Sequence, residues 1–277
     1  MGCLFLVATP IGNLEDISAR ARRTLQEVAL IAAEDTRQSG KLLAHLEIRT
    51  PMVSYHEHNK IIRLDRILHA LTEGDVALIS DAGTPGLNDP GYELIRAAIA
   101  AGHIVVPIPG PCAPIAALVA SGLPTDTFVY LGYLPRRSKQ RRDALAEWNI
   151  CRRTLVVLEV PHRLMDSLED ISAILGNPPI AAAREMTKIH EEFVRGTARE
   201  VQAHFQATPP LGEITLVIGA ASKDGKWPVE KVRKEICRRE DEKKAVSQLA
   251  SEIAAESGWE RREMYKMIHA EREANRK

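Results

Sequence analysis

The sequence has few cysteines, and they are far apart. Four cysteines occur among 277 residues, at Cys3, Cys112, Cys151 and Cys237, and no two of them form a CxxC pair. This pattern encodes neither a disulfide framework nor a zinc ribbon. It is typical of a protein from a reducing compartment. We therefore expect cytoplasmic localisation and no structural metal.

The chain also lacks a net charge and a long apolar run. Lys and Arg total 37 and Asp and Glu total 37, so the charge of the whole chain selects no partner. The apolar stretch 113–120 is far too short to span a bilayer, and no basic segment precedes apolar residues 4–8. We expect neither membrane association nor a signal peptide. Any attraction to nucleic acid must come from local patches.

Short apolar runs alternate with segments of helical period, which predicts an α/β architecture. The first runs are apolar on both faces, as in the strands of a covered parallel sheet. The predicted strands are residues 4–8, 29–33, 76–80 and 104–108, followed by 128–131, 154–158, 180–183 and 214–218. The length predicts two domains, which we place at 1–120 and 121–222. A charged helical appendage follows at 223–277.

Loops rich in glycine and proline follow several predicted strands. The loop at 9–14 has one glycine and lacks GxGxxG, so it does not encode a dinucleotide site. The loop at 80–91 combines three glycines and two prolines, and a third loop spans 109–113. Because loops at the carboxyl ends of parallel strands share one sheet edge, we expect these two to bind a ligand side by side, with close backbone approach at Gly83. Asp89 and Pro90 predict a helix start with Asp89 as its cap.

Polar side chains cluster after other predicted strands, and each cluster has two interpretations. Asp35 and Arg37 could handle substrate, or form a helix cap and an ion pair. His56 and His58 form an HxH motif, but no third ligand is visible, so we expect no metal. The segments 159–163 and 184–188 could line a cleft or form surface salt bridges.

Basic charge is concentrated between residues 136 and 153. All five charges that open this stretch are positive, and Tyr133 precedes them. A solvated helix face is one interpretation, and phosphate contact is the other. The predicted phosphate ligands are Arg136, Arg137, Arg141 and Arg142.

Residues 250–268 have the pattern of a helix-turn-helix, with Gly258 at the turn. Arg261, Arg262 and Lys266 lie in its second helix, where nucleic-acid readers place their contacts. The alternative is an appendage that only stabilises the protein.

Seven blocks of sequence, taken in order, resemble the ribosomal RNA small subunit methyltransferase I group of the tetrapyrrole-methylase superfamily. They are ATPIGNLEDIS, AAEDTR, HEHN, SDAGTPGLNDPG, PIPGPCA, EVPHRL and AREMTKIHEEFVRGT. The resemblance runs from about Leu4 to the carboxyl end. One departure is Leu158-Glu159-Val160, where the family pattern has an aromatic and a small residue around the glutamate.

The resemblance implies a kinked two-domain α/β fold with the cofactor in the cleft between the domains, and a homodimer. It implies S-adenosylmethionine as methyl donor and the 2′-hydroxyl of a cytidine in the decoding region of 16S rRNA, within the small ribosomal subunit, as acceptor. The superfamily's cofactor contacts fall on Pro10, Thr84, Pro85, Leu87, Cys112, Ala113, Leu158, Glu159, Ala183, Arg184, Ile214 and Thr215.

A ribose hydroxyl is a poor nucleophile near neutral pH, so transfer needs a general base or in-line positioning. We expect positioning to be the larger effect. His58 is the candidate base, because a neutral histidine accepts a proton at cellular pH. Asp35 and Arg37 would orient the substrate, and Lys188 is the next candidate.

Two other functions are consistent with parts of the pattern. A precorrin-type methylase shares the implied fold but needs neither the basic run nor the appendage. A DNA-binding regulator could use the appendage, but it would not need two α/β domains with ligand loops.

Overall fold

A computed structural model describes residues 2–57, 59–149, 152–220, 229–239, 244–257 and 259–274. The chain forms two compact units, Met1–Ala220 and Ala221–Lys277. The first unit contains two five-stranded sheets with helices packed on them. The described part of the second unit is helical.

The first sheet is parallel throughout. Its strands are β1 (Cys3–Val7), β2 (Leu30–Ala33), β3 (Met52–Ser54), β4 (Val76–Ile79) and β5 (Ile104–Ile108). The connecting helices are α1 (Ala19–Glu27), α2 (Thr36–His45), α3 (Lys60–Glu73) and α4 (Tyr92–Ala100), with a short 3₁₀ helix at Leu14–Asp16. The strand order is β3-β2-β4-β1-β5. Separate apolar cores on the two faces bury β4 completely, which is why its sequence is apolar without alternation.

Strand β5 corrects the expectation that residues 104–108 are covered on both faces. It lies at the edge of the sheet beside β1, and Ile104 is 58% exposed. An edge strand pairs on one side only, so an apolar sequence does not guarantee that helices cover it.

The second sheet is mixed. Its strands are β6 (Phe128–Tyr133), β7 (Thr154–Glu159), β8 (Pro179–Arg184), β9 (Glu192–Thr197) and β10 (Ile214–Ile218), in the order β6-β7-β10-β8-β9. The helices are α5 (Ala113–Ala120), α6 (Ser138–Asn149), α7 (Pro161–Leu175) and α8 (Ala198–Ala207). Strands β6 and β7 are parallel, and the remaining pairs are antiparallel. One face packs on α6, α7 and α8 in an apolar core.

Helix α5 packs on the opposite face of the second sheet, although it follows the last strand of the first. Its Ala117 and Leu118 contact an apolar cluster that includes Val156 and Val217. The guanidinium of Arg195 on β9 donates to the carbonyl of Ala120 at 2.6 Å. These contacts tie the two sheets into one unit.

The second unit contains α9 (Val229–Arg239), α10 (Val246–Ser257) and α11 (Arg261–Ala274) around a small apolar core. Helices α10 and α11 cover the segment predicted as a helix-turn-helix, and Gly258 lies outside the described residues. Among the helices that the structure describes, none is long and apolar enough to cross a membrane.

Candidate active site

A cleft of about 420 Å³ separates loops of the first sheet from strands of the second. The loops after β4 and β5 form one wall, and β6, β7, β10 and the turn after β8 form the other. This volume is within the range of small-molecule sites. The predicted cofactor residues on its lining are Gly83, Thr84, Leu87, Cys112, Ala113, Leu158 and Thr215.

The loop after β4 is held by backbone pairing. Gly83 adopts φ +79° and exchanges two backbone hydrogen bonds with Thr9, at 2.8 and 3.0 Å. The hydroxyl of Thr84 donates to the carbonyl of Pro111 at 3.1 Å, which joins this loop to the one after β5. The predicted side-by-side arrangement of the two loops is therefore confirmed.

Asp89 does not cap α4, contrary to the prediction from Asp89-Pro90. Helix α4 begins at Tyr92, and its N-cap is Gly91 at φ +154°, a conformation that favours glycine. Asn88, at φ +64°, lies so close to Gly132 that a side chain there would meet its amide. Asp89 instead lies on the cleft wall, half-buried.

On the second sheet, strand alternation divides the predicted cofactor residues between two faces. Leu158 and Thr215 line the cleft, and Ala183 is buried on the same face in the cluster with α5. Their neighbours Glu159, Arg184 and Ile214 point to the opposite face, because successive side chains of a strand alternate. These three side chains therefore do not line the cleft, and any contact of these residues with a cofactor there has to come from their backbone groups.

The contacts of the charged neighbours confirm their orientation. Glu159 is fully buried and accepts from the hydroxyl of Ser167 on α7 at 2.5 Å, with Arg163 at 3.4 Å. Arg184 pairs with Glu192 at 2.5 Å. Glu159 thus attaches β7 to α7, and Arg184 joins β8 to the edge strand β9.

Two other predicted cofactor residues lie beside the cleft lining. Pro85 is buried in the loop after β4. Pro10 lines an adjacent depression of about 260 Å³ with Gln38 and Lys41. Ile11 and Ala82 line both spaces, so the depression adjoins the cleft.

The cleft lining is acidic. It contains the carboxylates of Asp89, Glu185 and Glu213, and among the described lining residues Lys188 is the only lysine or arginine. Its ammonium pairs with Glu185 at 2.9 Å. Burial raises the pKa of Asp89 to about 6, and the negative charge of Glu34 adds to the effect.

Two tyrosines of β6 line the cleft, and sequence reasoning assigned neither to the site. Burial raises the pKa of both Tyr130 and Tyr133 to about 12, so the phenols stay protonated. Tyr133 donates to Glu213 at 3.1 Å. The hydroxyl of Tyr130 is buried and has no hydrogen-bond partner within the described part of the chain. A bulge at Gly132 places both tyrosines on one face, and strict alternation does not predict it.

Asp35 and Arg37 lie outside the cleft lining. Asp35 caps α2 by accepting from the backbone amide of Arg37 at 2.8 Å. The two side chains pair at 2.7 Å, and the hydrogen bond from Arg37 lowers the pKa of Asp35 to about 2. His58 lies outside the described residues.

The basic run contains one arginine that cannot bind phosphate. Arg141 is buried and pairs with Asp170 at 2.7 Å, with side-chain exposures of 3% and 9%. The prediction that Arg141 contacts phosphate is therefore wrong. Arg142 is half-exposed and lies 3.3 Å from the same carboxylate. Arg136, Arg137 and Lys139 are exposed.

The second unit also presents basic side chains. Arg261, Arg262 and Lys266 are exposed on α11. Tyr265, on the same helix, is also partly exposed. The predicted nucleic-acid contacts of this helix are thus accessible in the described unit.

Comparison with known proteins first defines a class. Residues 3–202 match the family model described as Tetrapyrrole (Corrin/Porphyrin) Methylases. A solved structure of a cobalamin biosynthetic enzyme, cobalt precorrin-4 methyltransferase, matches with a TM-score of 0.61 at 15% identity, covering 79% of this chain and 95% of that one. The fold expected from the resemblance is confirmed.

Curated relatives narrow the class. A protein of Halalkalibacterium halodurans named Ribosomal RNA small subunit methyltransferase I is 47% identical over 98% of this chain and 96% of its own length. One of the same name from Thermotoga maritima is 47% identical over 79% of this chain and 98% of its own length. The chain therefore belongs to the tetrapyrrole methylase family and, within it, to the ribosomal RNA small subunit methyltransferase I group.

Proposed function

We propose that the protein transfers a methyl group from S-adenosylmethionine to the 2′-hydroxyl of a cytidine in the decoding region of 16S rRNA. The observation that carries this proposal is the acidic cleft between the two sheets. The names of the curated relatives support rRNA of the small subunit as substrate. The cytidine and the ribose hydroxyl rest on the sequence resemblance.

The cleft suits S-adenosylmethionine in charge and in hydrogen bonding. The cofactor, when bound, supplies a methyl group activated by a positive sulfur, and the three lining carboxylates favour a cation. Cys112 and Ala113 start helix α5, whose first amides can hold an anionic group. The Tyr130 hydroxyl can donate a hydrogen bond to a ligand in the cleft.

We assign the acceptor side of the site to the neighbouring sheet edge. Asp35 and Arg37 follow β2 there, and Asp81, which follows β4, accepts from the backbone amide of Asp35 at 3.0 Å. Arg37 is largely exposed, so its guanidinium can reach an RNA phosphate. Lys188 lies on the cleft wall itself, where it can orient the acceptor.

We assign RNA capture to two basic surfaces. The basic surface of the first unit comprises Arg136, Arg137 and the exposed part of Arg142. The basic surface of the second unit comprises Arg261, Arg262 and Lys266. In these terms, domains 1–120 and 121–222 form the methyl-transfer site, and the appendage 223–277 adds substrate contacts.

We further propose that the protein acts as a homodimer in the cytoplasm. Apolar side chains of the edge strand β5 and of α5 are exposed, including Ile104 and Val119. Packing against a second copy of the chain would bury these side chains, which favours association. Sedimentation at the monomer mass would exclude the dimer.

A precorrin-type C-methylase is the competing function, because the fold is shared with cobalt precorrin-4 methyltransferase. The exposed arginines before α6 favour the rRNA substrate, since a small tetrapyrrole does not require them.

The deciding experiment offers a labelled methyl donor to small ribosomal subunits, free rRNA, duplex DNA and a precorrin. We expect label in the small subunits and, after digestion, in 2′-O-methylcytidine. Label in the precorrin alone would contradict the proposal. Leu87→Trp should fill the cleft and weaken cofactor binding at least tenfold by calorimetry, whereas Ile62→Trp, on the exposed face of α3, should leave it unchanged.

A further inference from the structure

Transfer to a hydroxyl releases a proton, so the cleft needs a group that accepts it. The described lining offers few such groups. Tyr130 and Tyr133 are protonated, because burial raises their pKa to about 12. Lys188 and Glu185 are paired with each other, and Glu213 accepts from Tyr133. Asp89 is the remaining carboxylate.

The loop around Asp89 fixes its position. Asn88 and Gly91 both adopt positive φ, and the space beside Gly91 is closed by Leu78 of β4. Asn88 is in turn seated against the bulge of β6 at Gly132. A carboxylate held by such a loop keeps its geometry through the reaction without reorganisation.

The surroundings of Asp89 are acidic from several directions. Glu34 follows β2, Asp81 follows β4, and Glu213 precedes β10, and all three carboxylates act on it electrostatically. Tyr130 and Tyr133 of β6 also lie within its electrostatic range. A hydrogen bond from Ser80 partly offsets these effects. The resulting pKa of about 6 suits a base that works near neutral pH.

We propose that the Asp89 carboxylate is the general base for methyl transfer, an inference that rests on the proposed function. The acceptor oxygen forms a bond to the methyl carbon while the carbon–sulfur bond breaks and its electron pair stays on sulfur. The hydroxyl proton passes to Asp89, which then releases it to solvent. Sulfur loses its positive charge in the same step, so charge and atoms balance.

The test compares Asp89→Asn, which keeps the shape and removes the base, with wild type in single-turnover methylation of small subunits. We expect a rate loss of about 10²-fold or more at saturating cofactor, with the cofactor still bound by calorimetry because Glu185 and Glu213 remain on the lining. The wild-type rate should rise with pH through about 6, and the variant should lose that inflection. Asp65→Asn, on the outer side of α3, is the matched control and should behave as wild type.

A second readout does not depend on activity. Because the folded-state pKa of Asp89 is raised above its ordinary value of 3.8, its stabilising contribution is complete below about pH 4 and is lost as pH rises through about 6. Asp89→Asn should therefore melt at a higher temperature than wild type at pH 8, and this gain should disappear at pH 4. Titration of the Asp89 carboxyl by carbon NMR should give the raised pKa directly.

The outcomes separate the two proposals. A variant within fivefold of the wild-type rate, or one that loses its cofactor affinity, would overturn Asp89 as base and leave the proposed function standing. Asp89→Glu retains a carboxylate and should recover part of the rate, and its failure to exceed Asp89→Asn would also count against the base. A wild type that methylates no rRNA acceptor would contradict the proposed function instead.

Discussion

Arg137 and Arg141 lie one helical turn apart but have different surroundings. The backbone amide of Arg141 donates to the carbonyl of Arg137 at 2.9 Å, so the two are local neighbours. Arg137 is exposed, whereas Arg141 reaches inward to Asp170 on α7. Ser138 also donates to this carboxylate, at 2.9 Å. Arg141 thus attaches α6 to α7.

Replacing Arg141 should cost stability. Breaking a buried ion pair by removing one partner costs about 3–5 kcal/mol, because the other charge stays buried. Ser138 and Arg142 still contact Asp170, so we expect Arg141→Ala to lower the free energy of unfolding by about 3 kcal/mol. Urea denaturation measures the change. Arg137→Ala, at an exposed position, should stay within about 0.5 kcal/mol, and equal losses in both variants would refute this account.

Individual residues show how far the site could be predicted from sequence. The two loops rich in glycine and proline were predictable, because several residues of special backbone geometry followed apolar strands. The orientation of Glu159, Arg184 and Ile214 could not be predicted. The sequence shows that side chains alternate between the two faces of a strand, but it does not show which face lies toward a ligand. Asp89 was misassigned because Asp-Pro is a common helix start, while Gly91 supplies the actual cap.

At the scale of elements, the long apolar strands were predictable and the short or polar ones were not. Eight strands followed from apolar runs, because most of these strands are buried by helices on both faces of a sheet. Strand β3 has three residues, and β9 is a charged edge strand, so neither has a clear apolar signal. The bulge of β6 depends on a glycine at φ +62°, which sets Tyr130 and Tyr133 on one face. Hydrophobic periodicity in the sequence does not predict a bulge of this kind.

The basic surface before α6 yields a prediction about salt. Arg136→Ala combined with Arg137→Ala should weaken rRNA binding and flatten its dependence on salt concentration. Each lost phosphate contact should reduce the log–log slope by about 0.7–0.9. The matched control removes two exposed arginines elsewhere, Arg23 and Arg66. Equal slopes for the double variant and the control would show that this surface does not contact phosphate.

At the scale of the whole molecule, the cleft proposed for methyl transfer belongs to the first unit alone. Every residue on its lining precedes Ala220. The Thermotoga maritima relative matches 79% of this chain with nearly its entire length, a share equal to that of the first unit. The second unit has its own apolar core. We therefore expect the first unit to bind the cofactor by itself.

Deleting residues 223–277 should therefore leave cofactor affinity unchanged by calorimetry. Methylation of small subunits should fall, because Arg261, Arg262 and Lys266 no longer contact the substrate. Replacing the three residues by alanine in the full chain should reproduce that loss. This variant distinguishes the effect of the basic side chains from the effect of removing the whole appendage. Full activity of the truncated protein would restrict the second unit to a stabilising role.

The position of β10 has a consequence for the order in which the protein acquires function during its synthesis. Strand β10 is the last strand in the chain, yet it lies at the centre of the second sheet, between β7 and β8. The first sheet is complete once residue 108 has left the ribosome, so it can fold early. The second sheet remains two separate strand pairs until residues 214–218 emerge and join them, bringing Thr215 to the cleft. At the proposed site, a nascent chain therefore becomes able to hold a methyl donor only after about the first four-fifths of its residues have left the ribosome.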